Sequence, residues 1–315
     1  MDTLTHALSG VLAARASERA GAALSPLQRA LVAGAAAAFP DLDYALFVLA
    51  PADFLNLHRG PTHSLLLLPL WAALLALPAA RLCRARWRDC LGPCALGLAL
   101  HLAGDLVTVY GTQLFYPLSA HPFALGISFD FNPWVAALSG AGCLLACGRR
   151  PRRAAALALL AIVAAFAGQA LLRQQALAAA GEVAGVRALP QPFSPFAWQL
   201  VGAGGGSYRV ARWNVFERAP PVWEELPHPD RESSPLAREA WAQAALAPFR
   251  RFAQLPALYR VDRRDGEDCV WFQDLRYRFP GQLPTFRYGV CRAGEGGAWR
   301  AYRLSYFSDA ERQAL

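Results

Sequence analysis

The residues best suited to chemistry are His6, Asp41, Asp43, His58, Arg59, His63, His101 and Asp105, all within or beside apolar segments. A charged group at mid-membrane is unfavourable by about 2.5–3.5 kcal/mol on insertion scales, so each is a functional candidate. His101 and Asp105, in HLAGD, are four apart and stack on one face of a helix, a spacing that makes a two-ligand metal clip. In HRGPTHS, Gly60 and Pro61 predict a turn and Thr62 a helix cap. His63 then opens the helix, and His58 folds back beside it. In FPDLDY, Pro40 predicts a break that frees Asp41 and Asp43 from the opposed directions of a regular helix. Each residue also has a plain structural use. His6, in THAL, would serve equally to open a helix, and one of Asp41 and Asp43 would orient while the other ligates. His121 and His228 precede proline and read as polar loop residues.

A His/Asp set without cysteine suits Zn²⁺, with Mn²⁺ or Fe²⁺ as alternatives, better than Ca²⁺. There are ligands enough for one divalent ion or for two. Such an ion lowers the pKa of bound water from about 15.7 to about 7. Arg59 beside it suits a phosphate or carboxylate.

The elements that must position these groups are apolar helices. A span needs about 20 apolar residues, and stretches at about 62–80, 91–109 and 154–175 qualify. The stretch at about 133–147 is shorter, 27–50 is interrupted by Pro40, Asp41 and Asp43, and 3–14 is too short for an ordinary span. Three basic loops carry Arg15, Arg19 and Arg29; Arg81, Arg84, Arg86 and Arg88; and Arg149, Arg150, Arg152 and Arg153. With alternating segments they share one side, which the charge rule makes cytoplasmic. The candidate residues then converge at the outer face. No cleavable signal is expected, because the arginines near the N-terminus follow the apolar stretch instead of preceding it.

Of 315 residues 55% are hydrophobic, and the excess lies in the first 175 or so. All 31 basic residues are arginine, scattered among loops and tail, and a nucleic-acid partner is not expected. The fold class is an α-helical polytopic membrane domain, 1–178, followed by a small α+β, mainly antiparallel, extracytoplasmic domain, 185–315. In that second part YRVARWNVF, VWFQDLRYRF, TFRYGVCRA and AWRAYRLSYF alternate as strands, and 235–255 is helical in pattern. Cys269 and Cys291 lie there and would pair in an oxidising compartment.

MDTLTHALSG, FPDLDY, HRGPTHSL, HLAGDLVTVYGTQLFYPLS and FALGISFDFNPW, in that order, resemble the bacterial membrane-bound metal-dependent hydrolase family of the YdjM type. The resemblance covers about 1–150 and implies an inner-membrane hydrolase with motifs similar to those of zinc-dependent phospholipase C. It implicates His6, Asp41, Asp43, His58, His63, His101 and Asp105. One departure is Asn132-Pro133 where the family pattern has Asp-Pro, with Asp130 two residues earlier and its role open. The combined expectation is a bacterial inner-membrane hydrolase of a lipid or membrane-proximal phosphoester. His58, His63, His101, Asp105 and His6 bind metal, Asp41, Asp43 and Arg59 act in catalysis, and Thr108, Tyr110 and Gln113 shape the substrate pocket. Two rivals are a scaffold with a structural metal and a transporter. A transporter predicts polar groups at all depths, and the inner halves of these helices carry almost none.

Overall fold

The computed structural model describes residues 1–18, 20–217 and 219–315. Arg19, one of the expected cytoplasmic arginines, lies outside the described residues. The chain forms two compact units. The first comprises Met1–Ala45, Leu57–Gln174 and Pro190–Phe196; the second comprises Leu46–Asn56, Gln175–Leu189 and Ala197–Leu315.

The helices of the first half are α1 Thr3–Ala16, α2 Pro26–Ala38, the short α3 Leu46–Leu49 and α4 Pro51–Leu57, then α5 Leu68–Cys83, α6 Trp87–Leu106, α7 Pro133–Leu145 and α8 Pro151–Ala179. Their starts follow local chemistry. The Asp2 carboxylate accepts from Thr5 N at α1, so Asp2 and not His6 is the cap. Ser25 and Gln28 close a reciprocal capping box at α2. Small residues let the helices approach. A Cβ on Gly10 would lie 2.6 Å from the Ala33 carbonyl oxygen, and one on Gly97 would lie 2.2 Å from that oxygen and 2.8 Å from Ala37 N. Backbone contact through glycine is how membrane helices pack closely without a hydrophobic gain. It pins α1 and α6 against α2.

Among the described residues two helices are long and apolar enough to cross a membrane, Pro26–Leu49 and Pro151–Ala179. The first corrects the sequence expectation. Pro40 ends the α-helix, as the sequence predicts, but not the span: α2 stops at Ala38, the chain tightens into a 3₁₀ turn over Phe39–Ala45, and the helical run continues to Leu49. Near 62–80 the helix starts only at Leu68, and the segments Asp53–His63 and Leu68–Cys83 form a broken pair bent by 77°. Thr62 therefore caps no long helix. The stretch at 91–109 lies largely in α6, which is long enough but not among the apolar spans, since Asp89, His101 and Asp105 dilute it.

The second unit carries most of the strand residues. β1 Val186–Gln191, β2 Ser194–Gly204, β3 Ser207–Asn214 and β4 Glu224–Pro227 form one sheet in that order. α9 Pro235–Ala242 and α10 Ala247–Phe252 follow where one helical stretch was expected, because Gln243 is extended and ends the first. β5 Pro256–Arg264, β6 Glu267–Asp274, β7 Arg287–Ala293, β8 Arg300–Ser305 and β9 Ser308–Ala314 make an antiparallel meander. Leu189, Val201, Tyr208 and Val210 of the first sheet pack with Leu255, Ala257 and Leu275 in one buried apolar cluster of this unit.

Cys269 and Cys291 are opposite one another on β6 and β7 and are joined by a disulfide, buried with Trp271 and Leu304. Crossing 22 residues, the bond restricts the unfolded chain by about 3 kcal/mol in the loop-entropy account. The double variant Cys269→Ser, Cys291→Ser should lose about that stability and unfold several degrees lower. Mass mapping without reduction should find the bridged peptide in the native protein; two free thiols there would refute the bond.

Candidate metal centre

The centre lies in the first unit. His63 on the 3₁₀ turn Pro61–His63, His101 and Asp105 on α6, and Asp41 on the 3₁₀ turn after α2 meet with their polar atoms inward. His63, His101 and Asp105 are fully buried and Asp41 is 5% exposed. His101 Nε2 and His63 Nε2 are 2.9 Å apart. Asp105 Oδ2 is 3.2 Å from the first of these rings' partner, His63 Nε2, and 3.5 Å from His101 Nε2. Asp41 Oδ1 is 3.9 Å from His63 Nε2 and 3.7 Å from His101 Nε2.

Neighbouring groups decide which ring nitrogens carry hydrogen. His101 Nδ1 lies 2.6 Å from the Ala37 carbonyl oxygen, which only accepts, so Nδ1 donates and Nε2 of the neutral ring presents its lone pair. Thr62 donates its hydroxyl proton to Asp43 Oδ2 at 3.0 Å, and so accepts at 2.9 Å from His63 Nδ1. His63 Nε2 then also presents a lone pair. Two lone pairs at 2.9 Å repel unless a proton or a metal cation lies between them. Asp41 Oδ1 and Asp105 Oδ2 are buried beside them and receive no directed hydrogen bond.

The spacing of His63, His101 and Asp105 to one another, and of Asp41 to the two rings, is close to what a small transition ion requires. A tetrahedral Zn²⁺ site with bonds of about 2.0–2.1 Å has ligand–ligand edges of about 3.3 Å. The five distances above straddle that value, from 2.9 to 3.9 Å.

The remaining predicted residues surround this set. His6 is fully buried, its ring stacks on His101 at 3.8 Å, and its Nε2 donates to Asp105 Oδ1 at 3.1 Å. His6, Asp41 and His101 form one group of three within ligand spacing, and His63, His101 and Asp105 form another, with His101 common to both. The Met1 amino group contacts the same carboxylate oxygen. Asp43 points away from the four-atom set. It accepts from His58 Nδ1 at 2.7 Å, Arg59 N at 3.1 Å and Thr62 Oγ1, and lies 3.4 Å from His63 Nδ1. His58, held by Asp43 and ring-packed on Tyr44 and Tyr110, is in neither ligand group.

Arg59 is 1% exposed and turned inward, with its backbone at φ +60°. Its Nε pairs with Asp105 Oδ2 at 3.1 Å, its Nη2 donates to Asp130 Oδ1 at 3.0 Å and its Nη1 to Thr108 Oγ1 at 2.8 Å. Tyr110 lies under the guanidinium at 4.9 Å, and Gln113 N donates to the Arg59 carbonyl at 2.9 Å. Thr108 and Tyr110 are buried and support Arg59. Asp130, left open by the sequence, is thus joined to Asp105 through one guanidinium. Asn132 does a different job: its side chain accepts from Trp134 N and Val135 N and starts α7. Asn and Asp cap almost equally well, which accounts for the departure from Asp-Pro.

Sequence reasoning missed Thr3, whose hydroxyl donates to Asp41 Oδ2 at 2.7 Å, the Ala37 carbonyl and the bridging role of Thr62. Backbone groups have no sequence signature. Thr3 and Thr62 had one, each standing next to or near a candidate histidine.

The family model described as YdjM inner membrane protein matches residues 1–176, more than half of the chain. The chain belongs to the YdjM inner membrane protein family. Neither the curated proteins nor the solved structures yield a match. The YdjM match contains the whole cluster and ends before β1, and with the two candidate spans it places the chain in the membrane.

Proposed function

We propose that this YdjM-family protein is a multi-pass inner-membrane, metal-dependent hydrolase of a lipid or membrane-proximal phosphoester. The carrying observation is the pair of buried imidazole nitrogens facing at 2.9 Å, flanked by two buried carboxylate oxygens 3.2–3.9 Å from them. A divalent transition ion there, Zn²⁺ first, would supply a water acidic enough to attack at neutral pH. His63, His101, Asp105 and Asp41 would hold it. Asp43 through Thr62, and the Ala37 carbonyl, keep both histidines in the ligating tautomer. Arg59 steadies Asp105 and brings a cation that suits an anionic ester. The side of the cluster that reaches the surface carries Asp130 and Tyr44, and substrate would approach there.

The disulfide supports an extracytoplasmic C-terminal domain, since such bonds persist in oxidising compartments. The arginine-rich connections α5–α6 and α7–α8 support the opposite, cytoplasmic placement of those two turns. Four protein ligands with little exposure favour a second reading, a membrane scaffold in which the metal is structural.

Elemental mass spectrometry on detergent-purified protein beside His63→Ala is the test, followed by turnover of phospholipids and phosphodiesters. A transition metal lost in the variant, with metal-dependent turnover, supports the hydrolase. Metal without turnover supports the scaffold. Wild-type protein that stays metal-free after incubation with Zn²⁺ or Mn²⁺ would sink both.

A further inference from the structure

The turn between β8 and β9 carries Tyr306 and Phe307, and Phe307 is 94% exposed. A hairpin turn in water favours glycine, asparagine or aspartate, so two aromatics there need another reason. Beside the turn, Leu283 is 37% exposed and lines one groove with Gln282, Thr285, Tyr306 and Phe307.

What lies against this turn identifies its surroundings. Tyr306 stacks on Phe47 with ring centroids 5.3 Å apart. Arg303 places its guanidinium over the same ring at 3.7 Å and donates to the Phe47 carbonyl at 3.3 Å. Phe47, Val48 and Leu49 form the last turn of the apolar segment Pro26–Leu49, and Val48 and Leu49 are each 78% exposed. Phe47 and the turn belong to the same compact unit. The exposed aromatic turn is therefore continuous with the end of a candidate membrane span. Aromatic rings concentrate at that depth, where one end is apolar and the other wet.

We propose that the Tyr306–Phe307 turn, with Leu283, inserts into the phospholipid surface beside the end of Pro26–Leu49 and anchors the C-terminal sheet to the bilayer. The occupant is a lipid surface, and the proposal does not depend on the metal centre.

Full-length protein carrying photoreactive p-benzoylphenylalanine at position 307 is reconstituted in vesicles of phosphatidylethanolamine and phosphatidylglycerol. The same residue at position 295 is the comparison. Glu295 is exposed on the β7–β8 connection, at the opposite end of β8 from Phe307. The substitution at 307 replaces one exposed aromatic ring by another, so folding is little disturbed. After illumination, mass spectrometry should find acyl-chain adducts at 307 in excess of those at 295 by roughly tenfold. Absence of lipid adducts at 307, equal labelling at both positions, or cross-links from 307 to a second polypeptide would each overturn the proposal.

Discussion

Replacing Asp105 by Asn is expected to empty the metal centre and to destabilise the first unit at the same time. The residue has two duties. Its Oδ2 faces His63 and His101, and the same oxygen pairs with Arg59 Nε at 3.1 Å in a fully buried setting. Breaking a buried ion pair by removing one partner leaves an uncompensated charge, typically by about 3–5 kcal/mol. Asp130 remains on Arg59 Nη2 and is 21% exposed at its side chain, but the buried Met1 amino group also loses its carboxylate partner, which keeps the expected loss within that range. Asp41→Asn separates the two duties. Its Oδ2 accepts from Thr3, a bond the amide oxygen can keep, and among the described residues no arginine pairs with it. Metal affinity should fall by at least about 100-fold while stability without metal changes by less than about 1 kcal/mol. Metal content and thermal unfolding in detergent, with and without chelator, measure both effects. If Asp105→Asn keeps its metal, the proposed centre is wrong; if only Asp41→Asn keeps it, the centre stands with three protein ligands.

The second large effect comes from a single methyl group that touches no ligand atom. Gly97→Ala would drive a Cβ into the Ala33 carbonyl and Ala37 N, which are backbone atoms of α2 and cannot swing aside. The helices must part, and overpacking of this kind is typically unfavourable by about 1–3 kcal/mol. His101 lies one turn further along α6, and its Nδ1 bond to the Ala37 carbonyl stretches with that separation. The expected outcome is a lower unfolding midpoint together with weakened metal binding, although no ligand has changed. Gly92→Ala is the control on the same helix: nothing lies within 4 Å of its added Cβ, and alanine is favoured over glycine in a helix by up to about 1 kcal/mol. A Gly97 variant as stable and as metal-loaded as the Gly92 variant would show that α2 and α6 do not set the site.

The sequence by itself determined the pairing of His101 with Asp105, because a spacing of four is a property of any helix. Alternation along the chain also marks β3, β6, β7 and β8, where it reflects one buried face, but it does not mark β1, β2, β4, β5 or β9, and β9 (SDAERQA) has too few apolar residues to show it. The family follows from motifs in the first half of the chain. What only the tertiary structure decided is which atoms face one another. Asp41 and Asp43 are two apart in one 3₁₀ turn, yet one meets His101 across α6 and the other meets His58 and Thr62. Arg59 looked free to meet a ligand, and the fold turned it onto Asp105 and Asp130, 46 and 71 positions later in the chain. His58 and His63 share one motif, and only His63 reaches His101. Local spacing is dictated by backbone geometry, which each residue carries with it. The direction of a ring nitrogen or carboxylate is set by partners on other elements, and those partners are brought near only when the helices pack.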